Sequence, residues 1–317
     1  MKTIVIGATG QIGSDLVPDL RAKYGNDNVV AVSRKTEPSE ELKQGPCEFA
    51  DAVDKGAIEA LVKKYEVDTI HHLASILSAT GEKNPELAWK TNMESLKNVL
   101  DLAKEYKLKV FWPSSIAAFG PTTPRDNTPQ RTVLEPGTMY GVTKVAGELL
   151  CNYYFEKFDV DVRSIRYPGI ISYKALPGGG TTDYAVAIFY EALKEKKYTF
   201  FVKEDTVLPM MYMPDAIKGT IDVMEADSSK IKVRTSYNFA GISFSAKQLA
   251  EEVKKHIPEF EASYEPDFRQ KIADSWPKSI DDSDARADWS WKHEYDLEKM
   301  TADMLEKLRE KLNIAES

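Results

Sequence analysis

The sequence predicts an α/β chain, with a doubly wound parallel sheet followed by a smaller C-terminal lobe. Three observations carry this reading. The chain opens on a β-branched run, Ile4-Val-Ile6, which Gly7-Ala-Thr-Gly10-Gln-Ile-Gly13 joins to an amphipathic segment over 14–24. Strand-like and helix-like stretches then alternate as far as residue 112, as parallel strands joined by crossover helices require. No internal repeat or low-complexity segment interrupts the pattern.

The opening strand, glycine turn and helix let backbone N–H groups at a helix N-terminus approach a pyrophosphate with no Cβ in the way. The spacing is G-x-x-G-x-x-G, and a second strand, Val29-Val-Ala-Val32, supplies the context that gives such a motif weight. A third strand, Cys47-Glu-Phe-Ala50, ends at Asp51-Ala52 and leads into a helix over 55–65. A fourth, Thr69-Ile-His-His-Leu73, runs into Ala74-Ser75, and one helix is expected over 85–106. The fifth strand, Lys109-Val-Phe-Trp112, ends at Pro113-Ser114-Ser115. Ligands of such sheets bind at the carboxyl ends of the strands. Gly7, Gly10, Gln11, Ile12 and Gly13 are therefore expected on a pyrophosphate. Asp51, Ala52, Leu73, Ala74, Ser75 and Pro113 are expected to face the same crevice.

Tyr140-Gly-Val-Thr-Lys144 puts a phenol and an ammonium four residues apart, on one face of a helix. An ammonium beside a phenol favours the phenolate, so the Tyr140 pKa is expected to fall towards the range of a general base. Ser115, at a strand end upstream of that helix, is a hydroxyl placed to join them.

In the second half, Val162-Arg-Ser-Ile-Arg166 is strand-like and ends in Tyr167-Pro168-Gly169. Gly178-Gly-Gly-Thr181-Thr182-Asp183 offers flexible backbone, then two hydroxyls and a carboxylate in a helix-start pattern. Helices are expected over 185–194, 245–256 and 297–312, and the charge-rich run 281–288 reads as a solvated face. A loose boundary near 170 divides a dinucleotide-binding domain, 1–170, from a lobe, 171–317, whose strands are expected to return to the main sheet.

Composition narrows the partners. The 317 residues, 42% hydrophobic and 29% charged, suffice for a sizeable core. A net charge of −8 without a long basic run argues against nucleic acid and anionic membrane. No apolar run approaches the ~18 residues of a membrane span, and no signal or transit peptide precedes the first strand. Cys47, Cys151 and the four histidines form no ligand pattern, so no metal is expected and a reduced, cytoplasmic setting is.

Together, Gly7-x-x-Gly10-x-x-Gly13, Ser115 and Tyr140-x-x-x-Lys144 resemble the extended short-chain dehydrogenase/reductase superfamily, which has a Rossmann domain and includes the UDP-sugar 4-epimerases. Later stretches resemble the short-chain-type L-threonine 3-dehydrogenases: 161–171, 178–185, Leu208-Pro-Met-Met-Tyr-Met-Pro-Asp215 and 267–277. The resemblance covers essentially the whole chain. It implies oxidation of the L-threonine β-hydroxyl, with Tyr140 as base, Lys144 tuning it and holding the nicotinamide ribose, and Ser115 orienting the substrate oxygen. It further implies Tyr167 and Pro168 behind the nicotinamide, and Ser78, Thr181, Thr182, Asp183 and Trp276 around the amino acid in a substrate-binding lobe. It also implies NAD as cofactor and a homodimer built on the helices of 85–106 and 140–157. One departure concerns the cofactor. The family carries an Asp at the end of the second strand, whereas Ser33-Arg34-Lys35 stands here, so NADP is expected to be accepted as well. Two other functions compete: a nucleotide-sugar 4-epimerase or dehydratase, and a non-catalytic dinucleotide sensor.

Overall fold

The computed structural model describes residues 1–178 and 180–314, with the backbone alone at residue 79. β1 (Thr3–Ile6) passes through the glycine turn into α1 (Gly13–Tyr24), followed by β2 (Val29–Ser33) and β3 (Cys47–Phe49). α2 (Lys55–Tyr65) begins where the Asp54 carboxylate accepts from the Ala57 N–H at 3.0 Å, satisfying one of the donors a helix start leaves free. β4 (Thr69–His72), α3 (Ser78–Lys83), α4 (Pro85–Trp89) and α5 (Ser95–Tyr106) come next. β5 (Lys109–Phe111) and β6 (Ser114–Ser115) flank Pro113, which has no N–H for a sheet ladder. α6 (Met139–Phe158) leads to β7 (Val162–Arg163), β8 (Ile165–Tyr167) and β9 (Gly169–Ile171). The remainder comprises α7 (Tyr184–Glu195), β10 (Lys197–Phe200), β11 (Val207–Tyr212), α8 (Met213–Glu225), β12 (Tyr237–Asn238) and β13 (Ile242–Ser245). α9 (Ala246–His256), β14 (Glu261–Tyr264), α10 (Arg269–Ala273), α11 (Ser283–Trp289) and α12 (Leu297–Leu312) complete it.

The main sheet has six strands in the order β3-β2-β1-β4-β5-β7, all parallel. Chain order reverses between β1 and β4, and this reversal opens the ligand crevice of a doubly wound fold. Every residue of β1, β2 and β4 is buried, because helices cover both faces. Side chains alternate accordingly: Val5 and Ala31 join one core, while Ile4, Ile6, Val30 and Val32 join the other.

Among the described residues no strand of the lobe 171–317 returns to this sheet, contrary to expectation; β12 pairs instead in a separate parallel sheet with β8 and β6, with Ser115 opposite Tyr167 and Arg166 opposite Asn238. The core containing Val5 and Leu16 also takes in Met211, Phe239, Trp289 and Trp291. The two halves of the chain thus share apolar packing across residue 170. A further core around Tyr184, Phe189, Phe200 and Met304 lies in the second half.

Two expected elements differ. The stretch 85–106 is not one α-helix: a π-helical turn, Lys90–Glu94, separates α4 from α5. Such a turn accommodates an extra residue and re-aims side chains, and here Asn92 turns inward. The run 281–288 is only partly solvated. It folds as α11, and Asp288, 6% exposed, accepts from the Tyr237 hydroxyl at 2.7 Å and pairs with Lys232. Val142, Leu149 and Tyr153 leave an exposed apolar stripe along α6, and α4, which packs on α6, adds exposed Leu87 and Trp89.

Candidate active site

The crevice begins at Gly7. Its φ of +90° suits glycine, and a Cβ there would stand 2.8 Å from the Ala74 nitrogen. A Cβ on Gly13 would lie 2.4 Å from the Gly7 carbonyl oxygen, so the turn closes only without side chains. Gly10 is exposed on the cleft side, and no side chain caps α1. The helix start is thereby left with donors for an anionic ligand. This cradle fits a dinucleotide pyrophosphate.

The cleft measures about 350 Å³. Gly7 and Gly10 border one part of it, and Ser33 and Arg34 the next. Asp51 and Ala52 border it at the end of β3, and Leu73, Ala74 and Ser75 at the end of β4. Ile12 packs against a core instead, and the exposed Gln11 reaches the Ile170 carbonyl at 3.5 Å.

α6 carries the phenol and the amine. Thr138 caps it by accepting from the Gly141 N–H at 3.1 Å. A Cβ on Gly141 would come within 2.2 Å of the Ala117 carbonyl oxygen, so the helix start lies hard against the turn that follows Ser115. The Ser115 hydroxyl accepts from the Ala117 N–H at 3.2 Å and hydrogen-bonds Tyr140. Lys144 is 3% exposed, and its Nζ donates to the Pro113 carbonyl at 2.6 Å. That nitrogen lies 5.3 Å from the centre of the Tyr140 ring. Ser115, Tyr140 and Lys144 therefore meet where β6 and α6 converge.

Their electrostatics correct the expectation drawn from spacing. Burial pushes the Tyr140 phenol up to about 12, opposed by the Ser115 hydrogen bond. Burial pushes the Lys144 ammonium down to about 7, opposed by Cys151 and Glu148. Desolvation penalises the charged form of each group, and here it outweighs the attraction inferred from i, i+4 adjacency.

A second cavity, about 260 Å³, is bordered by Ser78, Gly178 and Gly180. It shares Ser75 and Ile76 with the dinucleotide cleft, so the two adjoin, and Ser115, Tyr140, Thr181, Thr182 and Asp183 do not border it. Asp183 steadies its rim by accepting from the Gly180 N–H at 2.8 Å; Gly179 lies outside the described residues. Thr181 is buried, and Thr182 packs on Gly169, where a Cβ would meet its Cγ2 at 2.7 Å. Pro168 is buried between β8 and β9. The Tyr167 ring lies in the core, bonded to the Thr220 hydroxyl and edge-on to Phe111 and Phe239. Trp276 is also in a core, the one against which Tyr140 packs, and does not border this cavity.

Two further groups organise the site without a local sequence signal. Asn92 accepts from the Ile76 N–H at 2.8 Å, donates to the Ile76 carbonyl at 3.1 Å, and donates to Thr143 Oγ1 at 3.1 Å. It thus ties the segment between the two cavities to the helix of Lys144. Glu148, one turn after Lys144, accepts from Ser114 at 2.5 Å and from Arg166 at 2.9 and 2.7 Å. Both ionic side chains are at most 3% exposed.

A model of the NAD dependent epimerase/dehydratase family matches residues 3–240. The chain belongs to that family. An uncharacterized epimerase/dehydratase of Staphylococcus saprophyticus is 51% identical over 98% of both chains. A solved structure, a GalE-like L-threonine dehydrogenase from Cupriavidus necator in holo form, is 52% identical, with a TM-score of 0.95, over 97% of this chain and 100% of that one. A monomeric L-threonine 3-dehydrogenase from a metagenome, in apo form, is 47% identical, with a TM-score of 0.94, over 98% and 99%. Family membership and the glycine cradle agree on a nicotinamide dinucleotide as cofactor.

Proposed function

We propose that this chain oxidises the β-hydroxyl of L-threonine to 2-amino-3-oxobutyrate, with NAD as the preferred cofactor. The observation carrying the proposal is the size and position of the second cavity. At about 260 Å³ it suits an amino acid rather than a nucleotide sugar, and it shares Ser75 and Ile76 with the dinucleotide cleft. L-threonine dehydrogenases about half identical to the chain, superimposing over nearly all of it, support the same reading.

Tyr140 takes the proton of the substrate hydroxyl, and the Ser115 hydrogen bond favours the phenolate that does so. Ser115 also orients the substrate oxygen and steadies it as it becomes a carbonyl. General-base help of this kind is worth on the order of a hundred- to ten-thousand-fold. The bound dinucleotide supplies the hydride acceptor for the hydrogen on the substrate's C3. Gly7, Gly10 and Gly13 would hold its pyrophosphate, Asp51 and Ala52 would line its adenosine end, and Lys144 would hold the nicotinamide ribose. Ser78, Thr181, Thr182 and Asp183 receive the amino acid. The assembly is a homodimer through α4, α5 and α6, supported by the exposed stripe of Val142, Leu149 and Tyr153. Absorbance at 340 nm tests the function. L-threonine with NAD should accumulate NADH; no NADH from L-threonine, with UDP-galactose converted to its 4-epimer at unchanged absorbance because an epimerase returns its hydride, would overturn the assignment.

A further inference from the structure

Lys144 is a cation in poor surroundings for one. Its Nζ has the Pro113 carbonyl at 2.6 Å, yet an ammonium has three donors to place. Two aromatic rings also face it, with Nζ 4.5 Å from the centre of the Trp112 ring and 5.3 Å from that of Tyr140. Trp112, 4% exposed, directly follows β5. Its ring reaches α6 because residue 147 is glycine. A Cβ at that position would stand 2.4 Å from Trp112 Cη2 and 2.6 Å from Cζ2. Gly147 follows Lys144 by three residues, so the gap in the helix surface and the amine share a face.

We propose that Trp112 is a positioning residue of the Ser115–Tyr140–Lys144 site, its indole face being the seat, admitted by Gly147, that holds the Lys144 ammonium beside Tyr140. An aromatic face attracts a cation through its quadrupole, and indole does so best. The proposal rests on the reading of Lys144 as the charged member of the site. Other groups also face the amine. Tyr140, Glu148 and Cys151 belong to α6, and the last two favour the ammonium. From β4 comes His72, which burial holds neutral. From β8 comes Arg166, taken up by Glu148. Trp112 does not titrate, so replacing it removes the ring face and leaves these charges in place.

Lys144 loses its proton as pH rises. Without the ring face that loss comes earlier, and the pH above which activity falls should drop by about 0.5 to 1.5 units. The experiment measures kcat for L-threonine and NADH affinity against pH. It uses the full chain, Trp112→Phe and Trp112→Leu, each with Lys144 intact and with Lys144→Arg. The midpoint should move down more in Trp112→Leu than in Trp112→Phe, which keeps a ring. It should not move in the Lys144→Arg background, because a guanidinium does not titrate there. A uniform loss of kcat and thermal stability with an unmoved midpoint would make Trp112 a packing residue and overturn the proposal. If Trp112→Leu fails to fold, Trp112→Phe decides by the same midpoint. If the unaltered chain does not oxidise L-threonine, the functional reading alone falls. The pH dependence of NADH affinity then decides, since a bound dinucleotide is an anion and senses the charge on Lys144. A shifted midpoint supports the seat, and an identical one removes it.

Discussion

The proposed coenzyme choice rests on the end of β2, and two substitutions there test it. Ser33 is 3% exposed and its hydroxyl donates to the Thr36 carbonyl at 2.8 Å, so it is occupied within its own loop. Arg34 and Lys35 are exposed on the border of the cleft, and neither forms an ion pair among the described residues. Glu37, the acid closest in sequence, is exposed and does not border the cleft. Among the described residues no carboxylate follows β2 at this border; the Asp51 carboxylate enters the cleft from the end of β3, and the Arg34 guanidinium is free to meet a 2′-phosphate. Exposure weakens such a contact, so Arg34→Ala should lower kcat/KM for NADP by about tenfold, the low end for a charge-assisted pair, and leave NAD nearly unchanged. Ser33→Asp should raise NAD preference by adding an acceptor and repelling the phosphate. The assay is steady-state kinetics with both cofactors at two salt concentrations, because a phosphate contact weakens as salt rises. No NADP turnover at low salt, in an enzyme vigorous with NAD, would refute the reasoning. So would an equal loss for both cofactors in Arg34→Ala.

Other outcomes follow from the same geometry. Tyr140→Phe should reduce turnover at least about a hundredfold with dinucleotide affinity largely intact, and Ser115→Ala should cost less; near-normal turnover in the first variant would remove the base. Thr182→Val should weaken L-threonine use and spare cofactor affinity, and the opposite result would move the amino-acid pocket elsewhere. His71 and His72 are buried and pushed down to about 3, so below pH ~6.5 the unfolded chain binds protons that the folded chain does not. Stability should accordingly fall as pH drops from about 6.5 towards 3, approaching about 1.4 kcal/mol per pH unit for each histidine; urea midpoints of His72→Asn with an undiminished slope would contradict this. Leu149→Lys should shift the proposed dimer towards monomer in sedimentation; an unaltered chain that runs as a monomer would remove the dimer, and a variant that keeps the dimer mass would place the interface off α6.

Local signals in the sequence carried the sheet well. The strand, glycine turn and helix at the start are contiguous, and the steric demands at Gly7 and Gly13 are met within a few residues and by the β4 end. The Tyr140 and Lys144 spacing gave adjacency for the same reason, because helix geometry is local. It did not give the direction of the Tyr140 shift, since that depends on desolvation, and desolvation depends on what β4, β5 and β6 bring to the helix. Asn92 was hidden because a π turn leaves no signature in apolar periodicity, and its partners Ile76 and Thr143 lie 16 and 51 residues away. Asp288 looked like surface charge because nothing nearby in sequence announces the Tyr237 hydroxyl that buries with it. Resemblance alone points Trp276 to the pocket; the residue is 7% exposed and packs in the core that Tyr140 also joins.

The stripe on α6 that begins with Tyr140 and Lys144 continues to Glu148, and this continuation makes the site a single rigid unit. Ser114 precedes Ser115, and Arg166 precedes Tyr167, which sits opposite Ser115 in the ladder. Because one carboxylate accepts from both Ser114 and Arg166, it locks β6, β8 and α6 to one another a residue away from the reacting groups. Arg166 also donates to the Asn238 side chain at 2.9 Å, and Asn238 belongs to β12 from the second half of the chain. A buried pair of this kind adds little stability over apolar packing, but losing either partner leaves the other charged and unmatched. Its value lies in geometry. A hydrogen-bonded network from residue 114 to residue 238 thus borders the Ser115–Tyr140 contact, joining a strand from the second half of the chain to the elements that carry it.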